Sequence, residues 1–263
     1  MKILFLFLSL NMSWIQHKGD TSALFQHPII HLTSDNHSFL YAADNNGTMF
    51  QLDSNLNILQ TFSDFTKGSL TSFEVTNSFQ LLAFQKEFNQ FCFLTRFLTL
   101  TNCTVIPTFR KVNISHLTRS SDFDIWFYEN DLFQITKFNF QTNQVSILFS
   151  ISHHIDNDEV LLDIKEYQNY LYLLFDDNKI LVLDQYGILS SKYENITTSK
   201  LIFNENNLLY IKNKKLYQLD IYSKKKILVE LDLNNQQNLT YLTKLKNNFY
   251  YFDNTKIIKI SSN

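Results

Sequence analysis

Six times along the chain the same order of apolar and polar positions returns: an apolar strand, a short turn of Asn, Asp and Lys, a second strand closing on an apolar residue followed by a polar one, another turn, and a third strand. The segments are FLYAADNNGTMFQLDSNLNILQTF from Phe39, LLAFQKEFNQFCFLTRFLTLTNCTVI from Leu81 and DIWFYENDLFQITKFNFQTNQVSILF from Asp124. They continue with YLYLLFDDNKILVLDQYGILSSKY from Tyr170, LLYIKNKKLYQLDIYSKKKILVEL from Leu208 and FYYFDNTKIIKISSN from Phe249. Aligning the apolar member of the pair puts Leu52, Phe97, Phe138, Leu183, Leu219 and Ile260 in one column, at intervals of 45, 41, 45, 36 and 41 residues. A more variable apolar strand precedes each unit: IIHLTSDN, LTSFEVTN, ISHLTRSS, VLLDIKEY, SKLIFNEN and LTYLTKLK. Each unit therefore holds four short strands.

Four strands per unit, repeated six times, predict an all-β fold: a six-bladed β-propeller of four-stranded antiparallel blades. Strand positions on both sides are large and apolar, as stacked blades require, and 25 Phe and 13 Tyr fill the wedges between them. The last unit ends after its third strand, so the ring lacks one strand. The segment SALFQ, residues 22–26, is expected to supply it by pairing outside residues 257–260, which closes the ring and covers an open edge. Asn occurs 28 times and is expected at left-handed turn positions in place of Gly.

Composition removes several function classes. A net charge of -2 gives no positive field for nucleic acid. The four glycines, Gly19, Gly47, Gly68 and Gly187, are too scattered to form a phosphate loop, a dinucleotide fingerprint or a serine elbow. At the start, Lys2 precedes the apolar run ILFLFLSL, which reads as the core of a signal peptide over residues 1–16, leaving 17–263 as one exported, periplasmic propeller domain. No later run is long and apolar enough to span a bilayer as a helix. With Thr101 and Asn102 taken as a turn, Cys92 and Cys103 fall on the order of 16 Å apart at strand rise, so two free thiols are expected.

The candidate chemistry is sparse. Loops between second and third strands and the links between blades share one face. The link SHHIDNDE brings His153, His154, Asp156 and Asp158, weak metal candidates because adjacent histidines on an extended segment diverge and no helical spacing aligns them. Acidic turn residues such as Asp44, Asp176 and Asp253 are turn formers first and cation ligands second. His27 and His31 straddle Pro28 at the join of the closing strand and are read as structural. Phe65 and Phe88, aromatic residues in connecting segments of that same face, are the candidate partner contacts. No catalytic set assembles, no cofactor motif is present, and the chain is read as not an enzyme.

Blades such as LYQLDIYSKKKI and FQITKFNFQTNQVSI, with the leader and a bias towards Asn, Lys, Ile and Phe, resemble the periplasmic propellers of Gram-negative bacteria, Bacteroidota in style. The resemblance implies a non-catalytic protein-binding propeller of the cell envelope. Its partner would be an envelope protein complex such as an outer-membrane translocon, with this chain an accessory or plug subunit of type IX secretion. The alternatives are a carbohydrate- or small-ligand-binding propeller, or a propeller lyase or hydrolase with its site at the channel mouth.

Overall fold

The computed structural model describes residues 21–35, 38–63, 69–77, 79–106, 113–156, 158–213, 215–229 and 242–261. The expected leader and Phe65 lie outside them. Blade 1 runs β2 (Ile29–Ser34), β3 (Leu40–Asp44), β4 (Met49–Leu52) and β5 (Ile58–Phe62), after β1 (Ser22–Leu24). Blade 2 is β6 (Ser72–Asn77), β7 (Gln80–Gln85), β8 (Gln90–Thr95) and β9 (Leu100–Val105). Blade 3 is β10 (Ile114–Arg119), β11 (Ile125–Glu129), β12 (Gln134–Asn139) and β13 (Gln144–Ser150). Blade 4 is β14 (Leu161–Tyr167), β15 (Tyr170–Phe175), β16 (Ile180–Leu183) and β17 (Leu189–Tyr193). Blade 5 is β18 (Ile202–Asn204), β19 (Asn207–Lys212), β20 (Lys215–Asp220) and β21 (Lys226–Val229), and blade 6 is β22 (Thr243–Leu245), β23 (Asn248–Asp253) and β24 (Lys256–Ser261) completed by β1.

The six-bladed propeller follows directly from these pairings. Each sheet is antiparallel in the order A, B, C, D from the axis outwards, and β1 supplies strand D of blade 6, with Ser22, Ala23 and Leu24 opposite Ile258, Ile257 and Lys256. Six apolar clusters are present, one at every blade junction, the last holding Phe25 and Ile29 against Leu245, Tyr250 and Ile257. That arrangement explains why B strands such as IWFYE are buried along their whole length while D strands such as ILQTF lie open to solvent.

The polar member of the apolar-polar pair has a specific task. Asp53, Thr95, Asn139, Asp184 and Asp220 each accept backbone N–H bonds from the turn that follows strand C, as Asp184 does from Tyr186 and Ile188 at 2.8 and 2.9 Å. Asn holds seven of the fifteen left-handed non-glycine positions among the described residues.

Blade 2 departs from the expected register. Leu94, not Phe97, stands where Leu52, Phe138 and Leu183 stand, because the turn uses Phe97 and the left-handed Leu98 (φ 59°) instead of Thr101 and Asn102. The three-residue slip brings Cys92 directly opposite Cys103, and the two form a disulfide with Cα atoms 4.1 Å apart. The expectation of free thiols is thus wrong.

Candidate functional site

Strands A line the axial channel. Pairing with strand B places His31, Ser72, His116, Asp163 and Lys200 at one level of the wall, the last by continuation of β18 beyond Leu201. Glu74 and Lys165 occupy the next level, and a cavity of about 450 Å³ follows the wall from His31 and Asp163 to Asn77 and Tyr167. The charges are tied across blades. Asp163 accepts from Lys200 Nζ at 3.2 Å and from the Leu201 amide at 2.8 Å, and Glu74 accepts from Thr118 and the Arg119 amide. Burial drives His31 and His116 down to about 4, and Lys200 opposes the proton on both. His31 therefore stays neutral, its Nε2–H donating to the Leu70 carbonyl at 3.0 Å. Burial likewise pushes the Glu74 carboxyl up, against the pull of Lys165.

The face formed by the A–B and C–D turns carries most of the exposed aromatic residues. In blades 2 and 3 these are Phe79 (70% exposed), Phe97 (57%) and Phe123 (63%). Arg96 lies 4.8 to 5.9 Å from the rings of Phe39, Phe79 and Phe97, and Arg119 lies 4.6 to 5.3 Å from Phe93, Phe123 and Phe140. In blades 4 and 5 the rim is tyrosine and amide instead, with Tyr186, Tyr222, Gln168 and Asn169. A second cavity, about 540 Å³, lies here between blades 3 and 4, bordered by Trp126, Glu166, Tyr170 and Tyr186.

The opposite face holds Phe88, the link with His153 and His154, and the acidic turn residues singled out from sequence. Phe88 is 44% exposed in the short 3-10 turn between β7 and β8. His153, Asp156 and Asp158 are exposed on the link between blades 3 and 4 and His154 is half-buried, but no three His, Cys, Asp or Glu side chains converge as metal ligands among the described residues. Asp44 is engaged in its own turn, accepting from Asn46 and Thr48, and Asp176 accepts from the Val160 amide on the link before β14. The sequence pattern pointed to one set of turns, those carrying Phe65 and Phe88, and passed over the aromatic turns of the other face and the channel ring. The signal for the ring was present in the tripeptide His-Leu-Thr, which recurs at Thr33 and Thr118 in two first strands.

No protein-family model matches the chain, and no characterised protein matches it by sequence. Solved structures do. A streptogramin B lyase superposes with a TM-score of 0.63 at 13% identity over 93% of this chain and 97% of the other. The virginiamycin B lyase of Staphylococcus aureus gives 0.61 at 10% identity over 92% and 99%. The propeller domain of Cps50 (Swd1) from Myceliophteria thermophila gives 0.60 at 10% identity over 94% and 99%. The likeness is one of fold alone. The lyases and the Cps50 propeller domain fit the same ring about equally well, so the fold by itself does not carry a function.

Proposed function

We propose that this protein is a non-catalytic recognition propeller that docks a partner protein on its A–B/C–D face, with Phe79, Phe97 and Phe123 as the anchors beside Arg96 and Arg119. The observation that carries the reading is the exposure of three Phe side chains in neighbouring turns of one face, a composition typical of interface centres. Phe123 adds weight, since it combines an exposed ring with a left-handed backbone (φ 73°), a conformation that disfavours a bulky side chain. The channel histidines favour the non-catalytic part: burial holds both well below their ordinary value, and Asp163 beside them is paired with Lys200 at 3.2 Å.

The proposal extends to an exported envelope protein. The Cys92–Cys103 bridge supports an oxidising compartment, as does the apolar run of residues 3–10. An accessory role in an outer-membrane secretion or assembly complex is the specific form of this reading. The test is cross-linked capture in cells, scored for wild type, for the triple variant Phe79→Ser, Phe97→Ser, Phe123→Ser, and for Phe88→Ser. The triple variant should stay folded and lose its specific cross-linked partner, while Phe88→Ser keeps it. Loss of the partner in Phe88→Ser alone would move the interface to the opposite face and refute the proposal.

A further inference from the structure

The cavity between blades 3 and 4 carries a chemistry distinct from the Phe-rich half of the same face. Trp126 is almost fully buried and borders it, Tyr170 and Tyr186 are exposed ring faces at 37% and 68%, and apart from the buried Leu171 the rest of the wall is polar. The polar groups divide into committed and uncommitted sets. Glu166 accepts from Ser120 Oγ at 2.6 Å, the Ser121 amide at 2.9 Å and Trp126 Nε1 at 2.5 Å. Asp122 is paired with Lys137, and Asp184 holds its own turn. By contrast, the Gln185 side chain and the Tyr170 and Tyr186 hydroxyls make no hydrogen bond among the described residues, and Asn169 uses its carbonyl oxygen for Ser121 but leaves its amide N–H groups open.

Three ligand classes fit this wall unequally. Three carboxylates against one ammonium repel an anion. A metal ion finds no three converging ligands, since each carboxylate already serves an internal donor. An uncharged polyol with an apolar C–H face suits both halves of the wall: the ring faces take the C–H groups, and the amides and the spare carboxylate lone pairs take the hydroxyls. About 540 Å³ lies within the range of small-ligand sites, roughly 300 to 1,000 Å³.

We infer that the groove between blades 3 and 4 is a saccharide subsite, with Tyr186 as the stacking platform and Asn169 and Gln185 as hydroxyl-reading amides. The site stands independently of the proposed protein-docking anchors, which belong to blades 2 and 3.

Trp126 supplies the readout, because the only other tryptophan is Trp14. A Trp14→Phe protein, otherwise full length, is titrated with millimolar maltose, cellobiose, lactose and di-N-acetylchitobiose while Trp126 emission is followed. At least one disaccharide should give a saturable change. Tyr186→Ala and Gln185→Ala should each weaken that binding by about tenfold or more, equivalent to about 1.4 kcal/mol, while Tyr186→Phe retains it. Absence of a saturable response to all four sugars by emission and by calorimetry overturns the inference. So does a response that survives Tyr186→Ala undiminished. A triple Phe variant that keeps its cross-linked partner, with sugar binding intact, would fail the functional proposal and leave this one standing.

Discussion

Blade 3 meets its two neighbours on one face of the ring by opposite means. Towards blade 2 it offers a guanidinium, Arg119, held against the rings of Phe93, Phe123 and Phe140 with Nη1 buried and lacking a hydrogen-bond partner. Towards blade 4 it receives a carboxylate, Glu166, whose oxygens accept three hydrogen bonds from Ser120, Ser121 and Trp126. A cation held by ring faces needs aromatic side chains at the rim, and those rings leave apolar surface behind. A carboxylate satisfied by N–H and O–H donors needs none, so its rim stays polar. The chemistry each half of the face can recognise is thus a by-product of how the junction beneath it is held.

The comparison is broken most directly at Glu166. Truncation to Ala leaves three donors without an acceptor, one of them the indole of a nearly fully buried tryptophan. The expected loss is about 3 to 5 kcal/mol in urea unfolding. Arg119→Met, which exchanges a guanidinium for an apolar chain of similar length among the same rings, should cost less than half of that. Equal losses would mean that the two junctions do not differ in the way described.

Sequence periodicity made the ring, its six units and its closing strand legible, because apolar alternation and turn chemistry survive in every blade. Blade 2 shows where it fails. Phe97 and Leu98 sit together in a turn that elsewhere carries at least one polar residue or glycine at these places, such as Asn55, Gln141, Gly187 or Ser223, and their apolar character pulled the alignment three residues away from Leu94. The same slip hid the disulfide. The functional surfaces were less legible for a different reason: which turns face which way is a property of the closed ring, and the channel residues sit on the most variable strand. Phe88 was visible as a loop aromatic, but nothing local distinguishes it from Phe79 or Phe123.

Blade 2 also carries the one covalent reinforcement, across β8 and β9 beside the cation–aromatic junction. Replacing Cys92 and Cys103 together by Ser reopens a short loop spanning a separation of 11 residues. The expected cost is about 2 to 3 kcal/mol, read as a lower urea midpoint, with Glu166→Ala remaining the larger effect. Reduction of the native protein should reproduce the shift.

On the blade 4 side, tight approach takes the place of a covalent bond. Gly187 has φ 85°, and a Cβ there would lie 2.5 Å from Cγ of Phe149, the ring that packs 6.0 Å from Trp126. Gly187→Ala should cost about 1 to 3 kcal/mol through backbone strain and displacement of that ring. Gly47→Ala, at a similar φ of 81°, is the comparison for the backbone part. If the two substitutions cost the same, the ring contact contributes nothing to the junction.

Inside the ring, the channel wall carries His116 on β10 of blade 3 and His31 on β2 of blade 1. Each is lowered from 6.5 to about 4, chiefly by burial, with Asp163 and Lys200 acting on both in opposite senses and Lys86 adding to the depression of His116. Between pH 6.5 and 4 the unfolded chain takes up protons that the folded chain refuses. Stability is therefore full above pH 6.5 and falls as pH drops towards 4, with a slope approaching about 1.4 kcal/mol per pH unit for each histidine. Glu74, raised by burial, works in the other direction: the stability tied to its protonated form is present below its unfolded value of 4.5 and is lost as pH rises through its folded value. His31→Gln keeps a side chain able to donate to the Leu70 carbonyl but cannot titrate. Urea unfolding at steps between pH 7 and 5 should show a shallower slope for this variant than for wild type, with Glu74 common to both. An unchanged slope would mean that burial does not hold the His31 imidazole neutral at the channel wall.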